Sequence, residues 1–335
     1  DRPVEPLRAL LPRQGERALP AFSALLLAAS YPPLHPLVLP FVGLVPLGLF
    51  VSSRDGDAGG AGSARRGAAL FAVVHFGVVL YWGPVALLWL SPAGVGVYLV
   101  GLALFAAAGA ALGHLLHHAI HRLGAPVWLA LPVGWTALEW GLAHLPGGIA
   151  YPWLGLGTTL TGFPALVGIA EVVGARGVGF WIALVNGLVV QLLLARTASA
   201  GEMPAIPRLT SARPGALAWG VVAAAIVAAP MAWGVWRAST IEVWPVARVA
   251  LLQTSLPQSI RMDPERVAGE TRAALDRLTA SIEPGSVDLV VTPEMLLPVV
   301  PDDDEAAGVR TYARELGAPI LFGAIGRDVE VDSEA

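Results

Sequence analysis

The chain has 335 residues, 55% of them hydrophobic and only 14% charged, with a formal net charge of −4. A soluble domain averages about 25% charge, so this composition argues against a wholly soluble protein and against disorder. With no basic face to offer a polyanion, nucleic acid is excluded as a partner. There is no cysteine, and all 21 basic residues are Arg, so these residues supply no disulfide, thiolate nucleophile, Schiff base or thiolate metal site.

In chain order, an Arg-bearing arm over residues 1–17 leads into apolar runs at 18–31, 34–52, 67–90, 93–116, 127–146, 163–195 and 215–236. Most approach the ~20 residues that span a bilayer core, which predicts about seven transmembrane helices between 18 and 236. The sixth run is long enough to begin with a re-entrant or interfacial entry around Gly162-Phe163-Pro164. Between Gly67 and Ala195 the only formal charges are Arg122, Glu139, Glu171 and Arg176.

Orientation follows from where Arg sits in the short loops. The arm, the loop after the second run, the loop after the fourth and the loop after the sixth hold eleven Arg, and the alternate connections near 32–33, 91–92 and 147–162 hold none. This puts the N-terminus in the cytoplasm and delivers everything after Trp236 to the far side.

From 237 to 335 the chain holds nine of the 21 Arg and seventeen of the 25 acidic residues, the mark of a soluble domain. Arg248–Gln253, Val287–Val291 and Pro319–Gly323 read as strands, with helices over Asp263–Ile282 and Asp303–Leu316 between them. This alternation predicts an α/β layer structure. With Asp1 at the start and no closing element in Val329–Ala335, the chain reads as a piece of a longer protein.

Val249-Ala-Leu-Leu-Gln253, Leu256-Pro-Gln258, Asp263-Pro264 and the strand running into Thr292-Pro-Glu-Met-Leu-Leu-Pro298 resemble the opening of a nitrilase-type carbon–nitrogen hydrolase domain. Upstream, Trp135-Thr-Ala-Leu-Glu139, Tyr151-Pro-Trp-Leu-Gly-Leu-Gly157, the run Ile169–Phe180 and Asn186 resemble the membrane part of the apolipoprotein N-acyltransferases. The resemblance implies a seven-span bundle in a bacterial inner membrane, followed by an exported nitrilase-like α-β-β-α sandwich, here incomplete. It further implies an acyltransferase that takes an acyl chain from a membrane phospholipid, holds it as a cysteine thioester and passes it to the diacylglyceryl-cysteine of a lipoprotein.

That family uses a Glu–Lys–Cys triad. By motif Glu294 is the Glu, and the Lys and Cys lie further along, so the present piece is expected to be inactive. A monomer without cofactor or metal is expected. Thr292 stands where the family usually has Trp, Thr254 and Ser255 replace its usual Gly and Asn or Asp, and Gly141-Leu142 stands near an expected Arg. The alternative reading is a catalytically inactive nitrilase-like binding or scaffold protein of the membrane.

Other residues carry weaker signals. Glu139 is an ionisable group inside a span and therefore a functional candidate, with a helix-packing hydrogen bond as the plainer role. Trp82, Tyr151 and Trp153 fall toward outer ends, as interfacial belt residues or as the lining of a lipid path toward Glu294. Glu171 and Arg176, five apart, are expected to pair with each other. His114, His117, His118 and His121 share one helical face, a spacing that could hold a metal in a transporter, although the cluster beside Arg122 reads better as headgroup-level polarity.

The Arg asymmetry makes a direct prediction. A reporter active only outside the cytoplasm should work when fused after Gly285 and fail when fused after Gly60. Equal activity of the two fusions would overturn the topology.

Overall fold

The computed structural model of the protein describes residues 13–147, 149–198, 216–263, 265–294 and 304–323. The chain divides between Ile241 and Glu242 into two compact units.

The first unit is helical. In order it contains α1 (Arg13–Ala28), a 3₁₀ turn at Leu39–Phe41, α2 (Val45–Ser52), α3 (Ala58–Val79), α4 (Gly83–Leu90), α5 (Gly94–His121) and α6 (Val127–Ala143). Two further 3₁₀ turns, Leu156–Leu160 and Pro164–Leu166, precede α7 (Ala170–Ala198) and α8 (Ala216–Thr240). Among the described residues three helices are long and apolar enough to cross a membrane, and four if α3 and α4 count as one bent span. The apolar runs thus become helices, but of unequal kinds. The first two give only the shorter helices α1 and α2, the third bends by 68° between Val79 and Gly83, and the sixth opens as 3₁₀ turns before α7 begins. Pro84 at the start of α4 favours the break, because its ring cannot continue a preceding helix. Within α7, Gly174 takes φ +69° and ψ 174°, a conformation open essentially to glycine alone, and this interrupts the helix after its first turn.

Apolar helices gain nothing by hiding from lipid tails, so they associate through close backbone approach and polar contacts. Both devices are present. Gly109 and Gly113 of α5 lie over Ala68 and Ala64 of α3, and a Cβ at Gly113 would run into the Ala64 carbonyl. Asn186 of α7, fully buried, donates through Nδ2 to the carbonyls of Pro40 (2.8 Å) and Ile182 (2.9 Å). Its Oδ1 accepts from the Leu44 amide at 2.8 Å, tying α7 to the 3₁₀ turn and to the start of α2. Ser23 of α1 donates to the Gly43 carbonyl across the same corner. Leu27, Leu44, Leu47, Phe71, Leu112 and Leu131 fill the centre.

The second unit contains β1 (Val249–Leu251), α9 (Gln258–Arg261), α10 (Val267–Thr279), β2 (Leu289–Val291), α11 (Asp304–Leu316) and β3 (Ile320–Leu321). The strands fall inside the three expected segments and form one small parallel sheet in the order β1-β2-β3. Its register sets Ala250 beside Val290 and Val290 beside Ile320. Parallel neighbours need crossovers, which the intervening helices supply. The expected helix over 263–282 is shorter, with a separate turn at α9. Leu252, Leu275, Val290, Val309 and Leu316 make the core between sheet and helices. At the sheet's entry the Arg248 amide donates to the Asp288 carboxylate at 2.7 Å. That bond and the Arg248 guanidinium hold the Asp288 carboxyl below the usual carboxylate range.

Replacing Asn186 by Leu would strand the Leu44 amide and the Pro40 carbonyl in an apolar interior. At about 1–3 kcal/mol for each unsatisfied group, the variant should lose about 2–4 kcal/mol of stability. Unfolding in detergent followed by tryptophan fluorescence measures this, and a loss under about 0.5 kcal/mol would show that the amide is not a structural tie.

Candidate functional site

Two groups of residues gather the polar chemistry, one in each unit. In the second unit, the ladder between β2 and β3 runs one residue past the strands, where the Thr292 amide donates to the Leu321 carbonyl at 3.0 Å. Pro293, without an N–H, ends the ladder, and Glu294 follows in a turn with its side chain exposed. The carboxylate candidate is thereby set at the carboxyl ends of parallel strands, the edge at which open α/β sheets present their ligand sites. Its backbone lies hard against Gly323 at the end of β3. A Cβ at 323 would collide with the Glu294 carbonyl oxygen, so glycine there is what lets the two strand ends close together.

In the first unit the centre is Glu139 on α6. Its Oε1 accepts from the Trp135 indole N–H at 2.7 Å, one helical turn earlier, and from the Leu156 amide at 2.6 Å. A Cβ at Gly179 of α7 would come within 3.4 Å of Oε2, so the carboxylate sits where α6, α7 and the 3₁₀ turn Leu156–Leu160 converge. Tyr31 reinforces the same loop by donating its hydroxyl to the Leu154 carbonyl at 2.7 Å. His35 Nε2 lies 2.7 Å from the Thr159 carbonyl.

Ahead of this anchor Tyr151 is half-buried, edge-on to Phe76 and Phe105, and Trp153 packs edge-on to Tyr151 with its ring centroid 5.5 Å away. Burial pushes the Tyr151 phenol up to about 12, so the hydroxyl stays protonated at neutral pH. Trp153 is 66% exposed. Of the residues expected along a lipid path, Tyr151 and Trp153 therefore share one loop, and Glu139 of α6 anchors that loop through the Leu156 amide. Trp82, at the start of α4, makes no ring contact with them among the described residues. Glu294 belongs to the other unit.

One expectation is corrected. Glu171 does not pair with Arg176; its carboxylate takes the Arg237 guanidinium of α8 at 2.8 Å and the Trp233 indole N–H at 3.1 Å. The Gly174 break follows that first turn of α7, and Gly168 approaches Gly234 closely enough for the two segments to meet there.

In the histidine cluster, His117 Nε2 lies 2.8 Å from the Asp55 carbonyl and His121 Nε2 3.2 Å from that of Val51, so both rings fasten the corner after α2. Among the described residues no group of three or more His, Asp or Glu stands ready to hold a metal.

Three participants escaped the sequence reading. His75 is fully buried, stacked on Phe71 and close to Tyr31. Tyr31 and Gly323 are the others, and only Gly323, a glycine closing a strand, left any trace in the sequence.

These features define a class of protein: apolar helices of membrane length joined to a small parallel α/β unit with a carboxylate at its carboxyl edge. Residues 23–188 match the family model described as the apolipoprotein N-acyltransferase N-terminal domain, and the chain belongs to that family. It is 29% identical over 324 residues to the apolipoprotein N-acyltransferase of Geobacter metallireducens, covering 94% of this chain and 58% of the relative. To that of Ralstonia nicotianae it is 30% identical over 254 residues, 73% of this chain and 42% of the relative. For that of Caulobacter vibrioides the identity is 28%, over 73% of this chain and 43% of the relative. The chain thus spans about half the length of the curated relatives it matches.

The anchoring role of Glu139 has a measurable consequence. Hydrogen bonds to charged groups contribute about 1.5–3 kcal/mol, so Glu139→Ala should lower the hydrogen-exchange protection of the Leu156 amide by about tenfold or more. Glu139→Gln keeps an acceptor in place and should retain most of the protection. Equal exchange in parent and Ala variant would show that the loop is held by other contacts.

Proposed function

We propose that this chain is part of a lipoprotein N-acyltransferase of a bacterial inner membrane. In this reading the first unit crosses the membrane about seven times from a cytoplasmic N-terminus, and residues 237–335 begin an exported nitrilase-like domain. The donor is a membrane phospholipid, the acceptor a diacylglyceryl-lipoprotein, and the enzyme works as a monomer. The observation that carries the reading is the combination of the N-terminal domain match over 23–188 with Pro293-Glu294 at the carboxyl edge of a parallel sheet.

In the chemistry proposed, Glu294 removes the proton from a cysteine thiol supplied by the part of the protein beyond this chain. The thiolate attacks the ester carbonyl of the phospholipid, and a lysine from the same part stabilises the oxyanion. Collapse forms the thioester and expels the lysophospholipid alkoxide, which takes up the proton from Glu294. The free α-amine of the acceptor cysteine then attacks the thioester, giving the amide and returning the proton to sulfur. An exposed carboxylate at a strand end suits this role, since it is within reach of a group arriving from outside the sheet.

The 335-residue chain, with no cysteine, should form no hydroxylamine-sensitive acyl adduct when incubated in membranes with labelled phospholipid. In the complete protein, Glu294→Gln should still fold and should form acyl-enzyme about 10²-fold or more slowly at neutral pH. Because an unperturbed thiol titrates near 8.5, alkaline buffer should restore part of the loss. Single-turnover acylation across pH tests this. A rate within about twofold of the parent would remove Glu294 from the mechanism and favour the scaffold reading.

A further inference from the structure

Helix α3 (Ala58–Val79) has 22 residues, of which the charge-free stretch after Arg65 and Arg66, Gly67–Val79, is about 20 Å long at 1.5 Å per residue. Three residues later α4 leaves it at 68°. The sequence of α4, Gly-Pro-Val-Ala-Leu-Leu-Trp-Leu, contains no polar side chain, and no charged residue occurs anywhere from Gly67 to His121. Only one edge of α4 is packed: Gly83 lies against the Tyr98 ring, and the Leu87 carbonyl lies against Gly94. The remainder is bare, with Trp82 54%, Val85 62%, Leu88 48%, Trp89 45% and Leu90 70% exposed.

We propose that α4 is a shallow, in-plane membrane helix whose Trp82–Val85–Trp89 face is covered by phospholipid acyl chains of the adjoining leaflet. Two observations favour lipid as the occupant on α4. Its bare face continues the exposed apolar faces of α3, at Val73 and Val78, and of α5, at Val95 and Leu99, which a membrane covers in any spanning arrangement. Finally, tryptophans stand near both of its ends, and at 68° to α3 the helix advances only about 4 Å in depth between them, against about 10 Å if it ran on straight. Both indoles then lie at one level, the headgroup boundary that tryptophan favours. A protein partner would be met by a polar rim, and α4 has none. The proposal depends on the first unit lying in a membrane and is independent of any acyl-transfer chemistry.

The absence of native cysteine makes the test clean. Single cysteines at Trp82, Val85, Ala86 and Trp89, with Val97, Val100 and Leu104 of α5 as calibration, would carry a nitroxide. The intact 335-residue chain would be reconstituted in vesicles of phosphatidylethanolamine and phosphatidylglycerol, and collision with oxygen would be compared with collision with a water-soluble nickel chelate. The α4 sites should all favour oxygen and lie within about 4 Å of one another in depth, while the α5 sites deepen by about 1.5 Å per residue. The nearly isosteric Ala86→Cys and Ser91→Cys carry the same comparison if the tryptophan variants fail to insert. A steady change of about 10 Å from 82 to 89 would make α4 a continuation of the span and overturn the proposal. Nickel access at every site would place α4 in water, and shielding from both reagents would show a second copy or another protein on that face. Either result would equally overturn it.

Discussion

The loop-bearing end of the helical unit depends on one carboxylate placed where water is scarce. Glu139 directs a single oxygen at two donors, an indole on its own helix and a main-chain amide across the bundle. In such surroundings an unpaired charge is costly, so the Trp135 and Leu156 donors and the carboxylate are mutually required. The loop that carries Tyr151 and Trp153 therefore has a fixed position relative to α6 and α7 although it is largely irregular. Tyr31 and His35, from elsewhere in the chain, hold the carbonyls of Leu154 and Thr159 in the same segment.

The rest of the bundle obeys the same constraint by other means. Where no side chain supplies polarity, glycine and alanine bring α3 and α5 into backbone contact. Where the chain turns, Asn186 satisfies the main-chain groups of Pro40 and Leu44, which helix geometry leaves free. At the opposite extreme, Glu171 and Arg237 are about one-third exposed, so their pairing contributes less energy than direction: it sets the end of α8 beside the start of α7.

In the second unit the burden shifts to water-driven burial. Val290 and Leu275 pack the sheet against its crossovers, and this in turn aligns the carboxyl ends of β2 and β3. Pro293 and Gly323 then decide where Glu294 stands, the first by ending the ladder and the second by leaving room for the glutamate's carbonyl. Both fix the geometry of the residue on which the proposed chemistry rests.

Composition and hydrophobic periodicity were sufficient to read membrane-length helices, a change of character near 237 and alternating strands and helices, because these follow from local transfer energies and repeat lengths. The motifs around Glu139, Asn186 and Glu294 were legible as well, since each lies in a short continuous run. What only the tertiary structure decided are the partners. Glu171 meets Arg237, 66 positions away, in place of Arg176; Glu139 meets Leu156; Tyr31 reaches Leu154 over 123 positions. Hydrophobic runs also do not reveal where a helix bends, so the run 67–90 read as one span until the break at Val79–Gly83 divided it. Pairings and bends depend on which backbone groups remain unsatisfied once the chain is packed, and that is a property of the whole fold.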